Sequence, residues 1–471
     1  MKKLIGFFIL LIIMLCSYTF AAVDVPEYIR VGLYSGTRAV NSFTVSSETG
    51  MQIGLVDEEG DFELIEEIKA NKEITIKKGK KANSVNISGI GDFGDNDEFV
   101  RIIPNESRDV ALLNVNDNNY RGEIEVRRFS TSDMTVINVV SMQDYLYGVV
   151  PREIGGNSPI EAVKAQAIIA RTYAAKNYNK RSNWGFNLTN TTDDQAYGGY
   201  DWENQNSNIA VDETDGMVAT YDGELIGGYY FSTSGGYTES SVNVWGGEVD
   251  YLEAVPDPYE PENLAKTTWT VTYSVEEIEA LLAKKGIDVG NVLNMVVNEY
   301  SDAGRVLELE IIGTKDTYVL NKSLARTYLG LNSQWFTIND DEPEVPEYTI
   351  YRDDIEIHED ELDDENYEKE EETKEIKPIL SGVINAITSI KNFNEKNDEN
   401  TSKNDEELTK INVSYDARKS KSNAVDIFEI KGRGWGHSVG MSQNGAIGMA
   451  NNDFSCEEII KWYYRGVEIE Y

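Results

Sequence analysis

Cysteine and histidine are almost missing from this chain: 471 residues contain two of each. Two cysteines cannot build a disulfide framework. Cys16 falls in a leader-like segment, which leaves Cys456 alone and gives no basis for a thiolate metal cluster. Basic residues are also scarce, 43 Lys and Arg against 82 Asp and Glu, for a formal net charge of −39. Phosphates and anionic lipid surfaces would be repelled, so nucleic acid is excluded as a partner and a neutral or amphoteric one, such as a glycan, is allowed. Long apolar runs are lacking as well. The N-terminal run Leu4–Leu15 is short of the roughly 20 residues a spanning helix needs.

That run follows Lys2 and Lys3 and precedes Thr19-Phe20-Ala21, the order of a secretory signal peptide. Residues 1–21 are therefore expected to be a signal peptide or an uncleaved anchor. Leu15 is too bulky for a lipoprotein site at Cys16. The protein is expected to be secreted or membrane-anchored, outside the cytoplasmic membrane.

The remaining chain has room for two or three domains. Residues 28–113 read as a small β-rich accessory domain. Ile74, Ile76, Val85 and Ile87 alternate in short runs around a Gly/Lys turn. A second block spans 120–338 and opens with the strands "GEIEVRRFS" and "MTVINVVSM". A helix follows, with Ser158 as N-cap, Pro159 in its first turn and Glu161 completing a capping box. Ile160, Val163, Ala167, Ala170 and Ala174 share one helical face. Residues 340–421 are an acidic, low-complexity insert that cannot bury enough apolar surface to fold by itself. Within it Leu380, Val383, Ile387 and Ile390 form an amphipathic stripe. Residues 424–471 regain folded composition but are too few for a domain. They are expected to complete the block at 120–338, giving a discontinuous α+β domain.

Three stretches carry the chemistry. The first is "DYLYGVVPREIGGNSPIEAVKAQAIIARTYAAKNY", with Tyr145–Glu153 and Lys164–Tyr173 as its core. The second is "FSTSGGYTESSVNVWGGEVDYLEAVPDPYE", from Phe231 to Glu260. The third is "GRGWGHSVGMSQNGAIGMA", from Gly432 to Ala450. In this order they resemble the SpoIID/LytB family, over most of the chain except the acidic insert and least before Tyr120. The resemblance implies lytic transglycosylase activity on peptide-free glycan strands for sporulation members, and enhancement of an amidase for vegetative ones. Peptidoglycan glycan strands, and possible cooperation with an N-acetylmuramoyl-L-alanine amidase, are thus the implied partners, and the cell wall the implied location.

Glycosidic cleavage needs a proton on the leaving oxygen, which a carboxylic acid with a raised pKa can supply. Glu153 is the candidate. It follows the apolar "YLYGVV", read as a strand, in a loop with Gly155 and Gly156. The helix N-terminus and Arg152 both act to lower its pKa, so the acid role requires desolvation. The competing reading is an exposed loop glutamate, or one that serves as a partner for Arg152 or Arg171. Arg171 either orients Glu153 or binds a sugar oxygen, or else makes a buried structural salt bridge.

Ser232 and Ser234, beside Gly235-Gly236, could bond sugar hydroxyls or only shape a turn. A serine hydrolase would need a histidine beside them, and only His358, in the insert, and His437 exist. Trp435 could stack on a sugar, and His437 and Gln443 could contact glycan. Alternatively, His437 simply holds its glycine-rich loop. Some sporulation members bind zinc after the helix. The corresponding stretch here, 183–204, has neither His nor Cys, so no metal or other cofactor is expected. Two functions remain open: a transglycosylase using Glu153, or a non-catalytic amidase enhancer that grips glycan.

Overall fold

The computed structural model describes residues 25–346 and 426–471, apart from 58, 95–97, 109, 130–132, 262–265 and 342. The leader at 1–21, and the acidic insert beyond its first residues, with His358 and the Leu380 stripe, lie outside the described residues.

Residues 28–120 form ten strands: β1 Tyr28–Tyr34, β2 Ser42–Ser46, β3 Met51–Val56, β4 Phe62–Ile68, β5 Ile74–Lys78, β6 Val85–Ile87, β7 Gly91–Phe93, β8 Phe99–Pro104, β9 Leu113–Val115 and β10 Asn118–Tyr120. Two longer strands follow, β11 Glu123–Arg128 and β12 Met134–Ser141, and later the short β13 Leu188–Thr189. Strand alternation decides the inward face: Ile29, Val31 and Leu33 of β1 are buried, as are Ile74 and Ile76 of β5 and Val85 and Ile87 of β6.

One sheet runs β13-β1-β12-β11-β8-β3-β4 and a second runs β10-β9-β2-β5-β6-β7. The boundary expected between 113 and 120 therefore does not divide two separate sheets. β1 pairs antiparallel with β12 from Tyr28↔Ser141 onward, and one hydrophobic core joins Ile29 and Val31 to Leu146, Ile168 and Tyr464. The N-terminal strands are a wall of the central core, since their buried apolar residues belong to the same cluster as the helices.

The helices that this wall supports are α1 Met142–Val150, α2 Ile160–Lys176, α3 Gln205–Glu213 and α4 Ser241–Trp245. α2 is buried on nearly every side from Ala165 to Ala175. Its alanines admit neighbours all round, so the predicted single-face stripe describes only part of its packing. The capping box at its start is absent. Ser158 Oγ donates to the Ile154 carbonyl at 2.7 Å, and Glu161 accepts from Lys164 and from the Cys456 amide instead.

The chain continues through β14 Val218–Tyr221, β15 Glu224–Leu225, β16 Tyr230–Phe231, β17 Thr268–Ser274, α5 Val275–Ala283, β18 Val292–Tyr300, β19 Val306–Gly313, β20 Thr317–Asn321, α6 Ser323–Leu329 and β21 Trp335–Ile338. After the insert come β22 Ile427–Arg433, β23 Met441–Ser442, α7 Gln443–Ala450, α8 Cys456–Tyr463 and β24 Glu468–Glu470. β22 lies between β17 and β21, β23 pairs with β16, and β24 pairs with β14. At the insert junction Ile338 pairs with Ile430, and the Asn339 amide donates to the Glu429 carbonyl at 2.8 Å.

Residues 120–338 feed two cores rather than one. The second gathers Trp269, Ile278, Leu309, Leu320, Phe336 and Phe428 around β17–β22, α5 and α6. Among the described residues no helix is long and apolar enough to cross a membrane.

Candidate functional site

The "YLYGVV" segment is helical, not a strand. Met142, Tyr145, Leu146, Val149 and Val150 are buried, a spacing of 3, 4, 7 and 8 from Met142 that fits one helical face. Ser141 caps the start by accepting from the Asp144 amide at 3.0 Å, a contribution of about 1 kcal/mol. The valines at the end suggest a strand by propensity alone, which tertiary packing overrides.

Pro151 has no amide hydrogen to continue the α ladder, and Pro151–Gly155 form a single π-helical turn. Gly155 closes it with φ of 87°, a left-handed value suited to glycine. Such turns re-aim side chains, and frequently sit at functional sites. This one carries Glu153.

Glu153 Oε1 accepts the Ala196 amide at 2.7 Å, and Oε2 faces the Gln443 side-chain nitrogen at 3.5 Å. Burial raises its pKa above the ordinary carboxylate range. The bonds from Ala196, Gln443 and Tyr230, and then the charge of Arg152, pull it down without cancelling that rise. Arg152 is the smallest of these influences, and its guanidinium stacks over the Trp202 ring, 4.5 Å from the centroid. The protonated acid is thus favoured at higher pH than for a solvated glutamate.

The loop after α2 is fixed by Asp194, whose side chain is fully buried. It accepts from Lys180 Nζ at 2.7 Å, the Thr189 amide at 2.8 Å, the Thr189 hydroxyl at 2.9 Å and Arg181 Nε at 3.2 Å. Burial opposes its ionisation, but the Lys180 and Thr189 bonds prevail and hold its pKa below the ordinary value. Two residues on, the chain presents the Ala196 amide to Glu153. Gln195 locks the same stretch to the core, accepting from the Tyr145 hydroxyl at 3.1 Å and donating to the Ala170 carbonyl at 3.2 Å and the Tyr230 hydroxyl at 3.1 Å.

Gly148 of α1 permits the close approach. A Cβ there would sit 2.6 Å from the Tyr197 ring, and its carbonyl accepts the Gly198 amide at 3.0 Å.

The C-terminal block supplies the other side. Parallel pairing of β16 with β23 sets Tyr230 beside Met441, so Tyr230 and Gln443 arrive together at Glu153. Gln443 also reaches Gln166 Oε1 of α2 at 3.4 Å.

Trp435 and His437 precede this turn, and neither bonds to Glu153. Trp435 is 39% exposed, with Lys266 over its ring at 5.4 Å. His437 lies among Tyr229, Phe231 and Trp245. Its Nδ1 accepts the Val439 amide at 3.1 Å and its other nitrogen bonds the Tyr230 backbone. Burial pushes its pKa down to about 4, and it holds the glycine-rich loop as a neutral ring.

Ser234 is fully buried rather than lining a cleft. Its hydroxyl donates to Glu260 at 2.9 Å, and among the described residues it has no histidine partner of the kind a serine hydrolase needs. Ser232 is partly buried, and its carbonyl accepts the Asn444 amide at 3.1 Å. Glu260 also accepts the Ser234 and Gly235 amides at 3.0 and 2.6 Å. Beside it, buried Asp257 accepts from Tyr463 at 2.8 Å. Burial, and for Glu260 the neighbouring Asp257, raise both pKa values, to about 6 for Asp257 and about 8 for Glu260.

Arg171 is 1% exposed and makes no salt bridge among the described residues. It donates to the Met217 and Val211 carbonyls at 3.0 and 3.4 Å, tying α2 to the end of α3 and the start of β14. The structure thus groups Glu153 with Gln443 and leaves Arg171, Ser234 and His437 outside that contact. Sequence reading misses Ala196, Gln195, Asp194 and Tyr230. Ala196 acts through its backbone and carries no side-chain signal. Gln166, a polar residue inside an alanine-rich helix, does carry one. Among the described residues no three His, Cys, Asp or Glu side chains are placed to share a metal ion.

Residues 130–221 match the family model described as Stage II sporulation protein. Residues 257–352 match one described as Domain of unknown function (DUF8618), a range covering most of the second core's chain. The chain is 28% identical over 337 residues to the Amidase enhancer of Bacillus subtilis (strain 168), covering 69% of this chain and 40% of that protein. It is 24% identical over 361 residues to Stage II sporulation protein D of the same organism, covering 74% of this chain and 79% of that one. Over 174 residues it is 32% identical to Stage II sporulation protein D of Bacillus amyloliquefaciens, covering 34% and 50%. With the "YLYGVVPRE", "STSGGYTE" and "GRGWGHSVGMSQ" stretches carrying its site, the chain belongs to the SpoIID/LytB family.

Proposed function

We propose that this chain is a lytic transglycosylase of peptidoglycan glycan strands, with Glu153 as its general acid and base, working outside the cytoplasmic membrane beside a cell-wall amidase. The observation that carries this reading is the sheltered Glu153 carboxyl, with raised pKa, held between the Ala196 amide and the Gln443 amide group. Protonated Glu153 gives its proton to the glycosidic oxygen as the C1–oxygen bond breaks. The muramyl 6-hydroxyl attacks C1, closing a 1,6-anhydro ring, and returns its proton to Glu153. No water is consumed, so no second carboxylate is needed to activate one.

The test is product analysis. Peptide-free glycan strands incubated with the protein should yield 1,6-anhydromuramyl ends by mass spectrometry, and Glu153→Gln should yield about 10²–10⁴-fold fewer. Absence of these ends from the wild type overturns the enzymatic reading. The similarity to a protein named Amidase enhancer favours a second reading, a glycan-gripping partner that stimulates an amidase without chemistry of its own. That reading predicts equal amidase stimulation by the wild type and Glu153→Gln.

A further inference from the structure

The junction between the "STSGG" segment and the C-terminal block is narrow. Parallel pairing of β16 with β23 spans two residue pairs, Tyr230↔Met441 and Phe231↔Ser442, and α7 begins at the next residue, Gln443. Gln443 nevertheless has to meet Glu153 with little tolerance. Its side-chain nitrogen lies 3.5 Å from Glu153 Oε2 and 3.4 Å from Gln166 Oε1, both at the outer edge of hydrogen bonding. A small slide of the helix start would end either contact. We propose that Asn444 is a positioning residue, which latches the first turn of α7 to Ser232 and Thr233 and so sets where the Gln443 side chain stands against Glu153. The proposal rests on the reading of Glu153 as the reacting carboxyl.

The first argument is local. Amides in the first turn of a helix have no acceptor within it. Ser442 Oγ takes the Gly445 amide at 3.1 Å. The Asn444 amide instead leaves the helix for the Ser232 carbonyl, at 3.1 Å. Its side-chain nitrogen turns to the same carbonyl at 2.9 Å and to Thr233 Oγ1 at 3.0 Å. A carbonyl can only accept, so the atom facing it is the amide nitrogen, and both of its hydrogens are used. Three bonds from one residue thus carry the junction past the point where the strand ladder stops.

The second argument concerns what the latch is fastened to. Thr233 is fully buried, and Trp435 holds its backbone in both directions. The Thr233 amide donates to the Trp435 carbonyl at 3.1 Å, and the Thr233 carbonyl accepts the Trp435 amide at 2.7 Å. One residue on, Glu260 accepts the Ser234 amide and Arg305 donates to the Ser234 carbonyl, each at 3.0 Å. The anchor is fixed from several sides. Elsewhere α7 presses against the Asp257 segment, because a Cβ on Gly445 would lie 2.0 Å from the Tyr463 hydroxyl and 2.3 Å from the Asp257 carboxyl. Without the latch the helix keeps that contact and loses its side-chain hold on Ser232 and Thr233. These two residues then serve the reacting carboxyl at one remove, through Asn444 and Gln443, rather than by touching a sugar.

The experiment is a titration of Glu153 in the full chain. Glutamate carboxyls are labelled with carbon-13 and read by NMR, and the Glu153 signal is assigned by its loss in Glu153→Gln. Asn444→Ala should move the Glu153 titration to higher pH, by no more than Gln443→Ala does, because the Gln443 bond favours the ionised form. The double variant should titrate like Gln443→Ala alone, since Asn444 acts through Gln443. Thr233→Val removes the acceptor and should shift the titration the same way, whereas Thr233→Ser keeps the hydroxyl and should titrate like the wild type. An unmoved titration in both Asn444→Ala and Thr233→Val overturns the proposal. So do shifts from Asn444→Ala and Gln443→Ala that add in the double variant, as general loosening of the fold would give. If Asn444→Ala does not fold, Thr233→Val with and without Gln443→Ala decides on the same terms. No turnover is read, so failure of the latch and failure of the enzymatic reading are told apart.

Discussion

The Gln443 side-chain amide meets the Glu153 carboxyl at 3.5 Å across 290 positions of sequence. This contact joins the C-terminal block to the candidate acid. At that length it is a weak donor, with part of the hold coming from Ala196 and Tyr230. Gln443→Ala should therefore raise the Glu153 pKa further, since it removes a bond that favours the ionised form. The acid must be protonated to act, so the falling alkaline limb of the pH–rate profile should move to higher pH. A shift to lower pH contradicts the assignment.

Glu153→Gln should reduce anhydromuramyl formation by about 10²–10⁴, the share of a general acid. It should also stabilise the fold. A raised pKa means the folded state favours the neutral acid. That contribution is complete below the unfolded value and is lost as pH rises through the folded one. The neutral glutamine should melt higher than wild type at pH 7–8, with the gap closing near pH 4. Equal melting curves at both pH values contradict the burial argument.

Asp194→Asn acts in the opposite direction. The depressed pKa means Asp194 stabilises the fold above the unfolded value, and that stability fades as pH falls through the folded one. At neutral pH the variant should lose about 1.5–3 kcal/mol, since it weakens charged bonds to Lys180 and Thr189. Hydrogen exchange at the Ala196 amide should speed up, and turnover should fall more than substrate affinity. Unchanged exchange at Ala196 would show that the loop is held by other contacts.

Asp257 and Glu260 are buried neighbours whose pKa values both lie high, at about 6 and about 8. Their stabilising effect is complete below the unfolded carboxylate values near 4 and is lost as pH rises from there through the folded ones. Wild-type thermal stability should decline from about pH 4 to pH 8, and Asp257→Asn should flatten the decline. An equally steep slope in the variant places its source elsewhere.

His437→Asn separates a loop-holding ring from a catalytic one. Burial depresses the His437 pKa to about 4, so it favours the fold above the unfolded value near 6.5 and ceases to do so as pH falls toward 4. The variant should lessen acid destabilisation and leave product formation within a few-fold of wild type. A collapse in rate with intact folding would give the ring a direct role.

The family stretches, the strands β11 and β12 and the helix α2 are legible in the sequence because their patterns are local. Glu153 is legible as a candidate by its place after "YLYGVV", but its protonation is not, because that depends on burial and on Ala196 and Gln443. The buried pair in "VPDPYE" looks like ordinary turn chemistry until Tyr463 and Ser234 close over it. α1 shows how short apolar segments mislead: its spacing is helical, yet its valines suggest a strand. Ser158 loses its expected cap role because the π-helical turn offers it the Ile154 carbonyl first.

Asn339 and Glu429 exchange bonds at 2.8 Å in both directions, main-chain amide to carbonyl one way and main-chain amide to Asn339 Oδ1 the other. The chain leaves and re-enters the described structure beside paired strands β21 and β22. For any flexible segment joined at such a neck, doubling the length would cost only about 0.6 kcal/mol in closure entropy. Evolution, or an engineer, can therefore exchange what hangs from that neck, even for an independently folding passenger with adjacent ends, while the strand register beneath it stays fixed.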